Sequence, residues 1–377
     1  MAKRKGKSQH RLNWQQTYHA GEDTRQQFSH RAKLTQRAIK LQPARVQAEL
    51  ENIDQLDKCQ GMVVGLYPGG VIVHCRQQEL FCGIAKMFRA PEGAQHATAV
   101  AVGDEVMVAL TQSHHNITKS QADKLRSDGF ILSRQPRRTA LCRPQPRSLK
   151  RLDVYETEIF EKVIVANMEV LLVVASTVKP SLRPALIDRF RIVAERGQLA
   201  AILVLNKVDL AMPDDELLGE LRRLEMPMFE VSASTGQGLD DLTRTLAGRR
   251  SVLAGQSGVG KSTLVNAIVP GAGAATRTVR EKDNRGRHTT AAASIYDLPC
   301  GGVIVDTPGV RELGMNLKIN ELGWYFPEFE QCSGQCKFND CTHSHEPGCA
   351  VQAAVAENKI LPRRYESYLR ILETLEK

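Results

Sequence analysis

Residues 255–262 read Gly255-Gln256-Ser257-Gly258-Val259-Gly260-Lys261-Ser262, with Thr263 next in line. The spacing is that of the phosphate-binding loop G-x-x-x-x-G-K-[ST]. Its flanks agree: the apolar run Val252 to Ala254 precedes it and a helical stretch at 261–269 follows. Glycines here let backbone N–H groups turn inward around phosphate oxygens, and the start of the helix adds its positive end. Lys261 is placed to reach the β and γ phosphates, and the Ser262 hydroxyl to ligate magnesium.

Working outward, short apolar runs alternate with amphipathic stretches. Glu169 to Ala175, Ala200 to Leu205, Met228 to Val231 and Val303 to Val305 read as strands, and 184–196, 214–224 and 238–247 as helices. This alternation predicts an α/β fold with a parallel sheet covered on both faces, its ligand at the carboxyl ends of the strands. Val305-Asp306-Thr307-Pro308-Gly309 ends one strand, so Asp306 can hold magnesium through water while the Gly309 N–H faces the γ-phosphate. Asn206-Lys207-Val208-Asp209 ends another and identifies the base. A carboxylate at Asp209 accepts from both N1–H and the N2 amino group of guanine, which adenine lacks; Asn206 suits the other edge. Ser232-Ala233-Ser234 can donate backbone N–H to O6. The expected ligand is GTP or GDP.

A conventional GTPase runs from phosphate loop through a switch threonine and DxxG to NKxD and SA(K/S). Here NKVD at 206 and SAS at 232 precede the loop at 255, so the domain is circularly permuted, with the join expected in Leu246 to Ser251. The switch loop belongs in Arg277 to Thr290, which carries Arg277, Arg280, Lys282, Arg285 and Arg287. Thr289 or Thr290 would close over magnesium and the γ-phosphate. Val310 stands where many GTPases carry a water-orienting glutamine, which predicts slow intrinsic hydrolysis. His288 is the candidate to position water, the alternative being a loop histidine facing RNA or solvent.

Downstream, Cys336-x4-Cys341-x-His343-x5-Cys349 offers three thiolates and an imidazole, a donor set for one structural zinc. Cys332 and His345 leave six possible ligands for four places. The remaining five of the nine cysteines, Cys59, Cys75, Cys82, Cys142 and Cys300, read as small buried hydrophobes, and a disulfide framework is not expected. Helices are expected at 350–358 and 363–376.

Upstream, residues 59–110 alternate β-rich runs with turn signals, with one more run at 128–132, as in a five-stranded barrel of the oligonucleotide-binding (OB) type or an unrelated small barrel. Residues 1–45 hold eleven Lys/Arg against Glu22 and Asp23, while the rest of the chain is balanced, so the net charge of +9 resides in a basic arm suited to a polyanion. The expected organisation is a basic arm (1–50), an OB-type β-barrel (51–135), a basic linker (136–154), the circularly permuted GTPase domain (155–315) and a zinc-binding helical domain (316–377). Composition, 42% hydrophobic and 25% charged over 377 residues, excludes a disordered or fibrous chain. No apolar run is long enough for a membrane span, and the basic start has no signal-peptide core.

Together the barrel, GQSGVGKS, RGRHTT, DTPGVREL and C-x4-C-x-H-x5-C resemble the YjeQ/RsgA family of circularly permuted GTPases, from about residue 58 to the end. The resemblance implies zinc ligands Cys336, Cys341, His343 and Cys349. It also implies a cytoplasmic, monomeric factor that binds the small (30S) ribosomal subunit and its rRNA late in assembly. Its GTP hydrolysis would be stimulated by that subunit and would help release other small-subunit assembly factors.

Overall fold

The computed structural model describes residues 56–67, 70–89, 98–110, 127–144, 161–224, 226–269, 271–272, 293–307, 315 and 317–375. The basic arm, the switch segment 277–290 and Gly309 lie outside the described residues.

Five strands, β1 (Lys58–Tyr67), β2 (Gly70–Cys75), β3 (Gln78–Arg89), β4 (Glu105–Leu110) and β5 (Gly129–Arg134), close into a barrel in the order β1-β2-β3-β5-β4. β3 and β5 run parallel and the other neighbours antiparallel. Alternation puts Val63, Val71, Val73, Val106, Val108 and Ile131 inside.

The barrel is welded to the rest of the chain by polar contacts at its base. Strand β6 (Ala140–Pro144) pairs with β7 (Glu161–Ala166), and Val102 bridges to Val165. Asp104, fully buried, accepts from the Ala101 N–H at 2.6 Å and from two nitrogens of Arg137 at 2.7 and 2.8 Å, which compensates its charge. Asn167 donates to the Gly103 carbonyl at 3.0 Å and accepts from the Arg138 N–H at 2.9 Å. The stretch 136–154, expected to be a linker, contains a strand: Leu141 packs inward, and the surrounding Arg137, Arg138, Arg143 and Pro144 hid that in the sequence.

A six-stranded sheet follows in the order β10-β9-β8-β11-β13-β12. Its strands are β8 (Val170–Ser176), β9 (Ala200–Asn206), β10 (Met228–Val231), β11 (Arg250–Ala254), β12 (Ser294–Asp297) and β13 (Val303–Asp306), with only the β12–β13 pair antiparallel. Both faces are apolar. Leu171, Val173, Leu203, Leu205 and Val252 share a cluster with helices α1 (Pro184–Arg196) and α2 (Asp215–Arg222). Leu172, Val174, Ile202, Val204 and Leu253 lie with α3 (Leu239–Leu246) and α4 (Lys261–Ile268). Helices α1, α2 and α3 each connect two sequential parallel strands, as the crossover requires, whereas α4 leads from β11 to the antiparallel β12.

The C-terminal part has a 3-10 helix (Ile319–Tyr325) and helices α5 (Pro327–Ser333), α6 (Ala350–Ala356) and α7 (Pro362–Leu375). Its Phe326, Phe329, Val351, Tyr368 and Ile371 belong to the same apolar cluster as Ile187 and Phe190 of α1.

Two readings of cysteine are corrected. Cys59 and Cys75 are buried as expected but joined by a disulfide, because the β1–β2 hairpin brings their Cα atoms to 6.6 Å across a separation of 16 residues. Cys300 is exposed: it sits in the tight turn closed by Leu298 and Gly302, where apolar neighbours in sequence do not mean burial.

Gly103 has φ +86°, and a Cβ there would come within 2.0 Å of the Ala166 carbonyl oxygen. Gly103→Ala is expected to destabilise the barrel junction by about 1–3 kcal/mol, read as a lower urea midpoint by circular dichroism.

Candidate functional site

The loop after β11 is built on close backbone approach. Gly255 has φ +139° and faces the Val174 carbonyl, which a Cβ would meet at 2.2 Å; Gly260 has φ +97° and abuts the Asn206 amide nitrogen at 2.3 Å from the same imagined atom. Side chains at either position would push the loop off the sheet. The Lys261 ammonium is held over the loop mouth, 2.6 Å from the carbonyls of Gly255 and Gln256, and the residue is 5% exposed. Ser257, Gly258, Ser262 and Thr263 are exposed on the same rim, and Val259 anchors the loop in the core.

Asn206, buried at the end of β9, donates from Nδ2 to the Val259 carbonyl at 2.9 Å and accepts at Oδ1 from the Ala233 N–H at 3.0 Å. It therefore fastens the phosphate loop to the Ser232-Ala233-Ser234 turn. Lys207 adopts φ +71° and donates from Nζ to the Gly258 carbonyl at 2.7 Å and to the Lys179 carbonyl. Thr177 in turn donates from Oγ1 to the Lys207 carbonyl at 3.0 Å. Ser232 is fully buried and its Oγ accepts from the Thr235 N–H at 3.2 Å, which shapes the turn, while Asp209 and Ser234 remain exposed. Segment 177–183 has no motif of its own. Asn206 opens NKVD, a motif that predicts the other edge of the base as its partner, whereas both ends of its amide bond the backbone of Val259 and Ala233.

Asp306 closes β13 opposite Ser294 and is half-buried, one strand away from the phosphate loop. The sheet thus collects the ends of β9, β10, β11 and β13 at one edge. Arg277, Arg280, Lys282, Arg285, Arg287, His288, Thr289, Thr290 and Gly309 lie outside the described residues.

A second cluster stands apart. Cys336, Cys341, His343 and Cys349 bring one ligand atom each to within 4.8 Å of one another. His343 Nδ1 lies 3.6 Å from the Cys336 sulfur and 3.5 Å from that of Cys349. Cys332 points back into α5, its thiol 3.4 Å from the Phe329 carbonyl, and His345 is exposed against Ser344; neither joins the four. Burial pushes the Cys341 thiol up to about 12 and raises Cys349, while it lowers His343 and keeps the imidazole neutral. Closely packed thiols that resist ionising alone, with a neutral imidazole aimed at them, are donors that fit a thiophilic divalent cation. The knuckle is braced from outside. Glu346 accepts from the Thr342 N–H and hydroxyl, both at 2.6 Å, and from the Ser344 N–H at 3.0 Å. Although burial opposes it, these bonds hold the Glu346 carboxyl below the usual range. Sequence reasoning missed Glu346, which has no spacing signature.

Asn206→Ala leaves the Val259 carbonyl and Ala233 N–H unpaired, so guanine-nucleotide affinity is expected to fall about 10- to 100-fold, measured by calorimetry. Chelation, or Cys349→Ser, is expected to release one metal ion per chain and melt the C-terminal module, followed by elemental analysis and hydrogen exchange.

Comparison with known proteins agrees with this geometry. The RsgA GTPase family model matches residues 134–316. The small ribosomal subunit biogenesis GTPase RsgA of Gemmatimonas aurantiaca is 36% identical over 84% of this chain and 97% of its own. Its namesake from Shewanella oneidensis is 38% identical over 74% and 75%, respectively. The crystal structure of YjeQ from Thermotoga maritima superposes with a TM-score of 0.58 at 30% identity, covering 85% of this chain and all of that one. YloQ, a circularly permuted GTPase, superposes with a TM-score of 0.56 at 24% identity, a likeness of fold. With the nucleotide-binding motifs in permuted order on one sheet edge and a relative matched over nearly its whole length, the chain belongs to the RsgA family of circularly permuted GTPases.

Proposed function

We propose that this GTPase binds the small ribosomal subunit late in its assembly, hydrolyses GTP when that subunit stimulates it, and helps release other assembly factors. The observation that carries the reading is one chain holding a barrel, a permuted nucleotide site and a Cys3His knuckle, matched nearly end to end by relatives named for small-subunit biogenesis. The barrel, the C-terminal module and the basic arm would grip rRNA chiefly through phosphate contacts. The protein would act as a monomer in the cytoplasm; among the described residues no helix is long and apolar enough to cross a membrane.

At the nucleotide site, Asp209 would read the guanine N1–H and N2 amino group, and the Ser234 N–H the O6, the Ala233 N–H being held by Asn206 Oδ1. Lys261 would sit on the β and γ phosphates, with Gly255 to Thr263 supplying the cradle. Ser262 and Asp306 are the residues that would hold magnesium, which when bound neutralises developing phosphate charge. Thr289 or Thr290 would close the switch, and His288 would position the attacking water in place of the glutamine that Val310 replaces. The Cys3His set would hold one structural zinc, since four protein donors leave no position for water.

Turnover of GTP should be measured alone and with small subunits, large subunits or naked RNA at stated salt. Stimulation by small subunits alone is expected; equal stimulation by any RNA favours a GTP-gated RNA-binding module, and stimulation by large subunits a different assembly role. Lys261→Ala is expected to abolish stimulated turnover. Asp209→Asn presents an amide that accepts from N1–H and donates to a C2 carbonyl, so preference should move from GTP to xanthosine triphosphate, read by competition binding.

A further inference from the structure

Helix α7 serves two neighbours at once. Tyr365 and Tyr368 donate their hydroxyls to the carbonyls of His343 and Thr342, at 2.7 and 2.5 Å, and so hold the backbone of the metal knuckle. Arg364, one residue earlier, turns the other way. Its Nη1 donates to Asp188 of α1 at 2.5 Å, its Nε donates to Glu328 of α5 at 2.7 Å, and its guanidinium lies 5.0 Å from the centre of the Phe326 ring.

Asp188 is fully buried and Arg364 is 6% exposed, and among the described residues the second Asp188 oxygen makes no hydrogen bond. Such a pair is a poor means of gaining stability, because desolvating both charges consumes most of their attraction. Apolar side chains would pack the two helices together as well. What the ion pair adds is a single relative orientation of α1 and α7.

α1 itself begins beside the phosphate loop. It follows segment 177–183, whose Lys179 carbonyl accepts from the same Lys207 ammonium that holds the Gly258 carbonyl, and whose Pro180 carbonyl accepts from the Ser176 hydroxyl at 2.7 Å. A Cβ on Gly258 would lie only 3.6 Å from the Pro180 ring. Farther along α1, Arg191 donates to the Tyr325 carbonyl. Direct contacts therefore run from the phosphate loop through Lys207, segment 177–183, α1 and Arg364 to the knuckle.

We propose that Arg364 is a positioning residue of the GTPase cycle: locked between Asp188 and Glu328, it makes α1 and α7 move as one body. A change at the phosphate loop then reaches the metal-binding module through α1, as well as along the chain that leaves DTPG. The inference rests on the guanine-nucleotide site and not on the identity of the particle bound.

The sequence supplies a reporter. Its two tryptophans are Trp14 and Trp324, and Trp324 is 77% exposed next to Tyr325. In a Trp14→Phe protein, emission therefore reports on the C-terminal module. We expect emission at saturation with GDP and magnesium to differ from that with a non-hydrolysable GTP analogue and magnesium. Asp188→Leu combined with Arg364→Met removes the buried pair together, so that Asp188 is not left unpaired, while Glu328 keeps its contact with solvent. This pair is expected to abolish the difference, with metal content and the dissociation constant of a fluorescent GDP analogue unchanged. Should the pair fail to fold, Arg364→Lys keeps the charge but cannot reach both carboxylates, and is expected to reduce the difference. A folded, metal-loaded variant with the full difference would overturn the proposal. So would a Trp14→Phe parent with none. Small-subunit stimulation, measured alongside, separates the two readings: its absence with an intact Trp324 response defeats the particle assignment and leaves this inference standing.

Discussion

The amide of Asn206 holds together what the order of the chain separates. One end binds the phosphate loop at Val259, the other the turn at Ala233, and the buried side chain has no solvent to turn to. Such bonds explain why permutation leaves the site intact. Nucleotide binding needs the carboxyl ends of β9, β10, β11 and β13 side by side, and neighbours in a sheet do not depend on which strand is made first. Lys207 adds a second tie to the same loop through Gly258.

The same economy of buried polar groups recurs at each junction. Asp104 beneath the barrel is answered by Arg137 and a backbone N–H; Asp188 between sheet and C-terminal module is answered by Arg364. Buried carboxylates paired in this way add little net stability, because desolvation offsets most of their attraction. Between these points the core is apolar and continuous, running from Leu171 and Val173 through Ile187 and Phe190 to Phe329 and Tyr368. Barrel, sheet and C-terminal Cys3His module are therefore separate as patterns in the sequence and joined as packing.

Much of this was legible from residues alone. The phosphate loop, NKVD, SAS and DTPG are short local patterns tied to strand ends, and local patterns survive without knowledge of the fold. Cys336, Cys341, His343 and Cys349, the four that the family resemblance implies as zinc ligands, lie together, whereas spacing alone left six candidates for four places. What escaped was long-range or exceptional. Asp188 and Arg364 meet across 176 residues, although Arg364 does share an i, i+3, i+4, i+7 stripe with the buried Ser367, Tyr368 and Ile371. A charge in an apolar stripe is the one local hint of a buried partner. The Cys59–Cys75 link and strand β6 depended on hairpin geometry and on β7, which the sequence read one stretch at a time could not supply.

The sheet order β10-β9-β8-β11-β13-β12 divides cleanly into two sequence-contiguous halves, residues 170–231 and 250–306, meeting along the β8–β11 seam. During synthesis the half that carries NKVD and SAS emerges first, as a three-stranded parallel unit with β8 at its margin. That margin stays unpaired until the half carrying the GQSGVGKS loop follows it out, a transient edge of Val170 to Val173 open to mispairing. A GTPase in conventional order would make its phosphate loop first. In this one the GQSGVGKS loop and NKVD meet only when the seam closes, so a nucleotide that needs both would arrive with completion of the sheet.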